Sequence, residues 1–187
     1  MRSINSYIER NFSEKRKIHT FAVCELSIKL ANHYGIEPGR VETAALFHDM
    51  FRGVSEQSIN CYVRHLGLDA KYLNNPNLAH GKIAAIVMER DYGITDRDVI
   101  NAVSYHTTGR EAMSEIEKII YIADATETNR VYPFVETLRK LSFINLDKAV
   151  LESLTHTITY IEQRGLYLDK DTVLARDYYI KKEKMNE

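Results

Sequence analysis

The sequence predicts an all-helical protein folded as one domain, and three observations carry that expectation. Apolar residues recur at spacings of three and four along nearly the whole chain, the period of a helix with one buried face. Alternation of apolar and polar residues at period two, bounded by turns, is scarce, so strands are not expected. The 187 residues, 44% of them hydrophobic and only three of them proline, suffice for one well-buried core and fall short of two.

The elements follow in order. Ile4, Tyr7, Ile8 and Phe12 mark a short first helix. Ser13 is placed to cap a second, which runs to Tyr34 and stops at Gly35. After Pro38 and Gly39 the run VETAALFHDM forms a third, and a fourth extends from about Ser55 to Leu66 and ends at Gly67. The stretch LDAKYLNNPN reads as a loop, and a helical pattern resumes at Leu78 and continues to Tyr92 before Gly93. Asp96 caps a helix that reaches His106. Ser114 and Glu117 form a capping-box pattern ahead of IEKIIYIAD, which puts Asp124 near the far end of that helix. Pro133 opens a short helix, residues 146–164 make a long one closed by Gly165, residues 172–184 make the last, and the terminal KKEKMNE is expected to fray.

Charge excludes some functions. Lysine and arginine number 25 against 26 for aspartate and glutamate, a net charge of −1, so no global field draws in nucleic acid or an anionic membrane. An anionic ligand must be met by a local cluster. Cys24 and Cys61 belong to no CxxC pair, lie in helical segments, and read as small core hydrophobes in a reducing compartment. The start, MRSINSYIER, carries charge where a signal peptide needs an apolar run, and no segment approaches the roughly 20 apolar residues that span a bilayer. A cytoplasmic protein is expected.

The histidines stand in unusual places. His19 shares a stripe with Val23, Leu26 and Leu30; His48 follows Val41, Ala44 and Ala45; His80 precedes Ile83, Ala84 and Val87; and His106 follows Val99, Ala102 and Val103, all at helical offsets. Asp124 follows Ile120 and Tyr121 in the same way, and Asp49 adjoins His48. One histidine on an apolar face is more often a hydrogen-bonded core residue than a ligand. Six inward-facing polar residues from five helices are another matter, because each unpaired buried polar or charged group costs several kcal/mol, about 1–3 or more apiece. A shared metal centre compensates all of them at once. His33, His65 and His156 show no comparable apolar stripe and read as structural or surface residues.

His48 and Asp49 diverge by about 100° on a helix and can grip a centre from different sides. The order His19, His48-Asp49, His80, His106, Asp124 resembles the HD-domain superfamily of metal-dependent phosphohydrolases, with the two extra histidines resembling its two-metal branch. More closely, R16-x-x-H19, LFHDMFR, LAHGKIAA, YHTTGR and EKIIYIAD followed by NR resemble the bacterial YqeK family over residues 14–180. That family hydrolyses diadenosine tetraphosphate symmetrically. The resemblance implies an all-α HD-domain bundle in which His19, His48, Asp49, His80, His106 and Asp124 hold two metal ions, with Asp49 bridging and Asp49, His48 and Asp124 central to catalysis. Where the family commonly reads something like ADYIEPNR, this chain has ADATETNR, residues 123–130, losing an aromatic and a proline from the pocket wall.

Imidazole and carboxylate without thiolate suit iron, with manganese or zinc as alternatives. Two cations about 3.5–4 Å apart would share a hydroxide and polarise the phosphoryl oxygen it attacks. In YHTTGR, His106 is then the ligand, Thr107 and Thr108 offer hydroxyls, Gly109 allows close approach and Arg110 forks a phosphate. Arg52, Arg130, Asn129 and Lys82 are further candidates for holding substrate. The expected partner is a small-molecule nucleotide, with no membrane and no obligatory nucleic acid, and a homodimer is compatible with the sequence. Alternatives are an HD-domain hydrolase of a nucleoside monophosphate, a deoxynucleoside triphosphate or a guanosine tetraphosphate-type alarmone, or a non-catalytic nucleotide-sensing HD domain.

Overall fold

A computed structural model gives the structure of the protein and describes residues 3–185. Among these the chain forms ten α-helices and no strand: α1 (Ile4–Asn11), α2 (Glu14–Tyr34), α3 (Pro38–Phe47), α4 (Glu56–His65), α5 (Pro76–Tyr92), α6 (Arg97–Tyr105), α7 (Glu115–Thr126), α8 (Val135–Ser142), α9 (Leu146–Gln163) and α10 (Lys170–Met185). One 3-10 turn, Ala70–Tyr72, lies between α4 and α5.

Local chemistry sets the ends. Ser13, Ser55 and Asp96 accept hydrogen bonds from backbone N–H groups of the first turns of α2, α4 and α6. Ser114 and Glu117 complete a reciprocal capping box on α7. Gly35 closes α2 in the left-handed region at φ 69°, where a side chain would be strained.

The core runs from α2 through α7 and on to α9 and α10 as one buried cluster. At its axis is α7, whose Ile116, Ile119, Ile120, Ile122 and Ala123 are all at most 2% exposed. A helix apolar on nearly every side belongs in the interior, and truncating Ile120 to alanine there would cost about 2–5 kcal/mol. Around it, α2 packs on α3 and α7, α6 on α5, α3 and α7, and α9 on α7, α8 and α10. The charges that α7 buries are paired: Glu117 receives Arg110, and Lys118 donates to Asp147 at 2.8 Å.

Several expectations are corrected. The third helix stops at Phe47; His48 is its C-cap, with helical backbone angles, and Asp49 lies in the turns that follow. Proline fits the first turn of a helix, so α5 starts at Pro76, before Leu78. The eighth helix starts at Val135, with Phe134 ahead of it in the left-handed region at φ 77°. The last helix runs from Lys170 to Met185, so the tail is helical through Met185; Asn186 and Glu187 lie outside the described residues. Cys24 is buried, but Cys61 is exposed, on the side of α4 opposite the buried Ile59 and Val63. No helix among the described residues is long and apolar enough to cross a membrane.

Candidate metal centre

Helix ends bring the six side chains together. His48 and His106 are the C-caps of α3 and α6, and Asp124 sits in the last turn of α7. Three helix C-termini, each with partial negative charge, therefore meet where a cation would be stabilised. His19 projects from the second turn of α2 and His80 from α5 one turn past Pro76. The four histidines and Asp49 are at most 8% exposed.

Asp49 divides its carboxylate between two groups. Its Oδ2 lies 3.4 Å from His48 Nε2 and 3.5 Å from His19 Nε2. Its Oδ1 lies 3.1 Å from His80 Nε2 and 3.9 Å from His106 Nε2. Asp124 Oδ1 joins the first group, 3.1 Å from His19 Nε2. The result is two three-residue nests, His19 with His48 and Asp124, and Asp49 with His80 and His106.

The far side of each ring fixes what faces inward. The Nδ1 atoms are held by Glu127 Oε1 at 3.2 Å for His19, Ala45 O at 2.6 Å for His48, Pro76 O at 3.1 Å for His80 and Val103 O at 2.8 Å for His106. With the proton on Nδ1, all four Nε2 lone pairs point into the centre. His80 and His106 then face each other at 2.9 Å, and His19 and His48 at 3.4 Å, distances at which lone pairs repel. Two nitrogens bound to one cation at about 2.1 Å and at right angles stand about 3.0 Å apart. The residues present thus fit metal ions, and their nitrogen and oxygen donors suit iron, manganese or zinc.

The electrostatics of the chain's own groups agree. Burial raises the Asp49 carboxyl, but the charge of His48, and hydrogen bonds from His19, His48 and His80 wherever a proton rather than a cation occupies Nε2, hold it well below the usual carboxylate range. Burial acts the same way on Asp124 and is overcome by the His19 hydrogen bond and the His48 charge. His19, which burial pulls down, is pushed up to about 9 by its bonds to Asp124 and Asp49. Burial, and then the charges of His80 and His48, press His106 down to about 3. Opposed shifts clustered at one point are the pattern expected where titratable groups converge on a functional centre.

Two neighbours were given no role from sequence. Arg16, one turn before His19, donates to Asp49 Oδ2. The buried Glu127 orients His19 and also accepts from Asn129 N at 2.6 Å and Asn129 Nδ2 at 3.0 Å. The sequence signals were Arg16-x-x-His19 and the spacing of three from Asp124 to Glu127. Arg139 fixes the segment after α7 by donating to the carbonyls of Thr126, Glu127 and Arg130 at 2.7, 2.7 and 2.8 Å.

The expected substrate-binding residues divide. Arg130 reaches Asp124, through Nη2 to Oδ1 at 2.6 Å and Nε to the carbonyl at 2.9 Å, with 41% of its side chain exposed. Thr107 Oγ1 lies 3.2 Å from His106 Nε2. Arg52, half-buried, makes no ion pair among the described residues. Others are committed elsewhere. Arg110 forks Glu117 through Nε and Nη2 at 2.6 and 2.5 Å, and its Nη1 donates to Glu111 O. The Thr108 hydroxyl is buried and donates to Gly109 O at 2.9 Å. The Asn129 amide group is taken by Glu127. Lys82 is two residues past His80, about 200° around α5; its Nζ rests 3.2 Å from the Tyr105 ring centroid, and burial lowers it to about 8.

Comparison with known proteins agrees with this geometry. The family model described as HD domain matches residues 16–129. A symmetrical bis(5'-nucleosyl)-tetraphosphatase of Bacillus subtilis is 32% identical over 92% of this chain and 94% of its own length. Its namesake in Staphylococcus aureus is 34% identical over 89% of this chain and 87% of its own. A crystal structure from Clostridium acetobutylicum, described as a predicted HD superfamily hydrolase involved in NAD metabolism, superposes with a TM-score of 0.92 at 36% identity, covering 97% of this chain and 99% of that one. With the HD model matched across its metal centre and these relatives aligned nearly end to end, the chain belongs to the HD-domain superfamily and, within it, to the family of the symmetrical bis(5'-nucleosyl)-tetraphosphatases.

Proposed function

We propose that this chain hydrolyses diadenosine tetraphosphate and related dinucleoside polyphosphates symmetrically, adding water across the central phosphoanhydride to give two ADP. The observation that carries the reading is the divided carboxylate of Asp49, set between two nests of inward-facing imidazoles. A single-metal or structural site needs no such bridge, and structural sites are usually closed and rich in thiolate. The names of the curated relatives supply the substrate class.

His19, His48 and Asp124 would hold one metal ion, His80 and His106 the other, and Asp49 both; iron is favoured, with manganese or zinc as alternatives. Bound there, the cations activate water at neutral pH and draw charge from the phosphoryl group. The chain's own residues supply position. Arg16 and Glu127 fix Asp49 and His19, so the donors are in place before substrate arrives. Arg130 and Arg52 would grip the phosphates on either side of the reacting bond, and Thr107 would offer a hydroxyl beside His106. ADP is a good leaving group, so no separate general acid is assigned. The reading takes the enzyme as cytoplasmic, with a nucleotide as its partner, and is compatible with a homodimer.

The test is product analysis on protein loaded with iron or manganese. Two ADP from each diadenosine tetraphosphate are expected. ATP with AMP would show a different cleavage point, and cleavage only of a guanosine tetraphosphate-type alarmone would favour the other hydrolase reading.

A further inference from the structure

Beside the metal centre a cleft of about 830 Å³ opens between the end of α7, the segment leading into α8, and α9. Arg130, Tyr132, Pro133, His156, Tyr160 and Gln163 line it. Tyr132 and Tyr160 stay 38% and 52% exposed, although burying each ring would be favourable. Exposed aromatic surface gathered in a concave site of this size is the usual form of a small-ligand pocket.

Arg130 connects the cleft to the centre. It lines the cleft, and its Nη2 holds the same Asp124 oxygen that faces His19. A ligand in the cleft therefore meets a guanidinium before it meets the metal ligands. This suits a molecule with a flat apolar head and a charged tail. Backbone geometry supports the wall. Phe134 holds a left-handed conformation that costs a non-glycine residue about 1–2 kcal/mol, its ring lies 4.3 Å from that of His156, and Arg139 pins the preceding carbonyls. Tyr132 is tied in turn by its hydroxyl to Ala125 O at 2.8 Å.

On the reading of the reaction given above, we propose that this cleft receives the adenine and ribose of one half of the substrate, while Arg130 holds the phosphates running from it to the metal centre. Aromatic side chains stack on bases without regard to sequence, and the Gln163 amide offers both a donor and an acceptor to a purine edge.

The test uses Tyr160→Ala and Tyr160→Phe in manganese-loaded protein. The Tyr160 ring carries Arg164 at 4.8 Å, and its hydroxyl makes no hydrogen bond among the described residues, so the fold does not depend on it. For Tyr160→Ala, KM for diadenosine tetraphosphate is expected to rise about tenfold with kcat within about twofold, and calorimetric ADP affinity to fall about tenfold. Affinity for inorganic tripolyphosphate, which has no base, is expected to hold, and Tyr160→Phe to match the wild type. Cleavage of the substrate with unchanged KM and ADP affinity in Tyr160→Ala would overturn the base site and leave the hydrolase reading intact. So would equal weakening of ADP and tripolyphosphate, or a Tyr160→Phe protein that behaves like the alanine variant. If the wild type makes no ADP but the alanine variant still loses ADP affinity alone, the base site stands and the proposed reaction fails.

Discussion

Gly81 lies directly against His106: a Cβ built at Gly81 would stand 2.9 Å from His106 Cε1 and 2.8 Å from the Val103 carbonyl oxygen. The same carbonyl holds His106 Nδ1. The missing side chain is what lets α5 approach α6 closely enough for His80 and His106 to share one position.

Gly81→Ala therefore tests the centre without touching a ligand. One contact is backbone, so the strain is relieved by moving α5 away from α6 or by turning the His106 ring. Overpacking of this kind costs about 1–3 kcal/mol. Metal content measured by elemental analysis is expected to fall, with kcat lower by at least about tenfold, because orientation of the ligands is what the position controls. Full metal content with wild-type kcat would show that the approach is not needed.

Arg110, expected from sequence to grip phosphate, forks Glu117 in the structure. Arg110→Ala would leave a nearly fully buried carboxylate facing no cation. Breaking a fully buried pair costs about 3–5 kcal/mol; Arg110 is 31% exposed, so solvent screening brings the expected loss to about 2 kcal/mol. Chemical denaturation should show that loss while KM stays within about twofold. A large rise in KM at unchanged stability would restore the phosphate role.

Removal of metal should destabilise the fold as well as stop turnover. The native chain binds the ions and the unfolded chain lacks the assembled nests, so ligand linkage adds stability in proportion to occupancy, about 2.7 kcal/mol at a hundredfold excess over Kd. Chelation is expected to lower Tm, and manganese or iron to restore it. Asp49→Ala should lose most of the metal, at least about a thousandfold in kcat, and most of that Tm response. Two ions retained in Asp49→Ala would refute its bridging place.

Much of this was legible in the sequence, and the limits have physical reasons. Helical periodicity put His19, His80 and Asp124 on inward faces because a 3.6-residue period has one buried side. The caps at Ser13, Asp96 and Ser114 were readable because they bind their own backbone within three residues. Contacts between distant elements left no local trace. That Gly81 faces His106 follows from packing across helices, and that the capping residue Glu117 also takes Arg110 follows from how the segment between α6 and α7 folds back on the first turn of α7. Cys61 was misread for a related reason, since Ile59 and Val63 define the buried side of α4 and Cys61 lies two residues from each, on the far side.

Glu127 is the sharpest test of how the centre is tuned. It contributes no atom to either nest, yet its carboxylate holds Nδ1 of His19 and so keeps the Nε2 lone pair directed inward. Without that acceptor the proton can move to Nε2, and the ring can turn away from Asp124 and Asp49. Loss of such an orienting partner costs about 10–100-fold in metal affinity or activity. Glu127→Ala should show this in a manganese titration followed by calorimetry, with one of two sites weakened. Glu127→Gln keeps a carbonyl oxygen for Nδ1–H and is expected to recover most of the affinity, which a merely structural role in the segment after α7 would not predict. If alanine and glutamine weaken manganese binding equally, the negative charge rather than the acceptor geometry is what His19 requires.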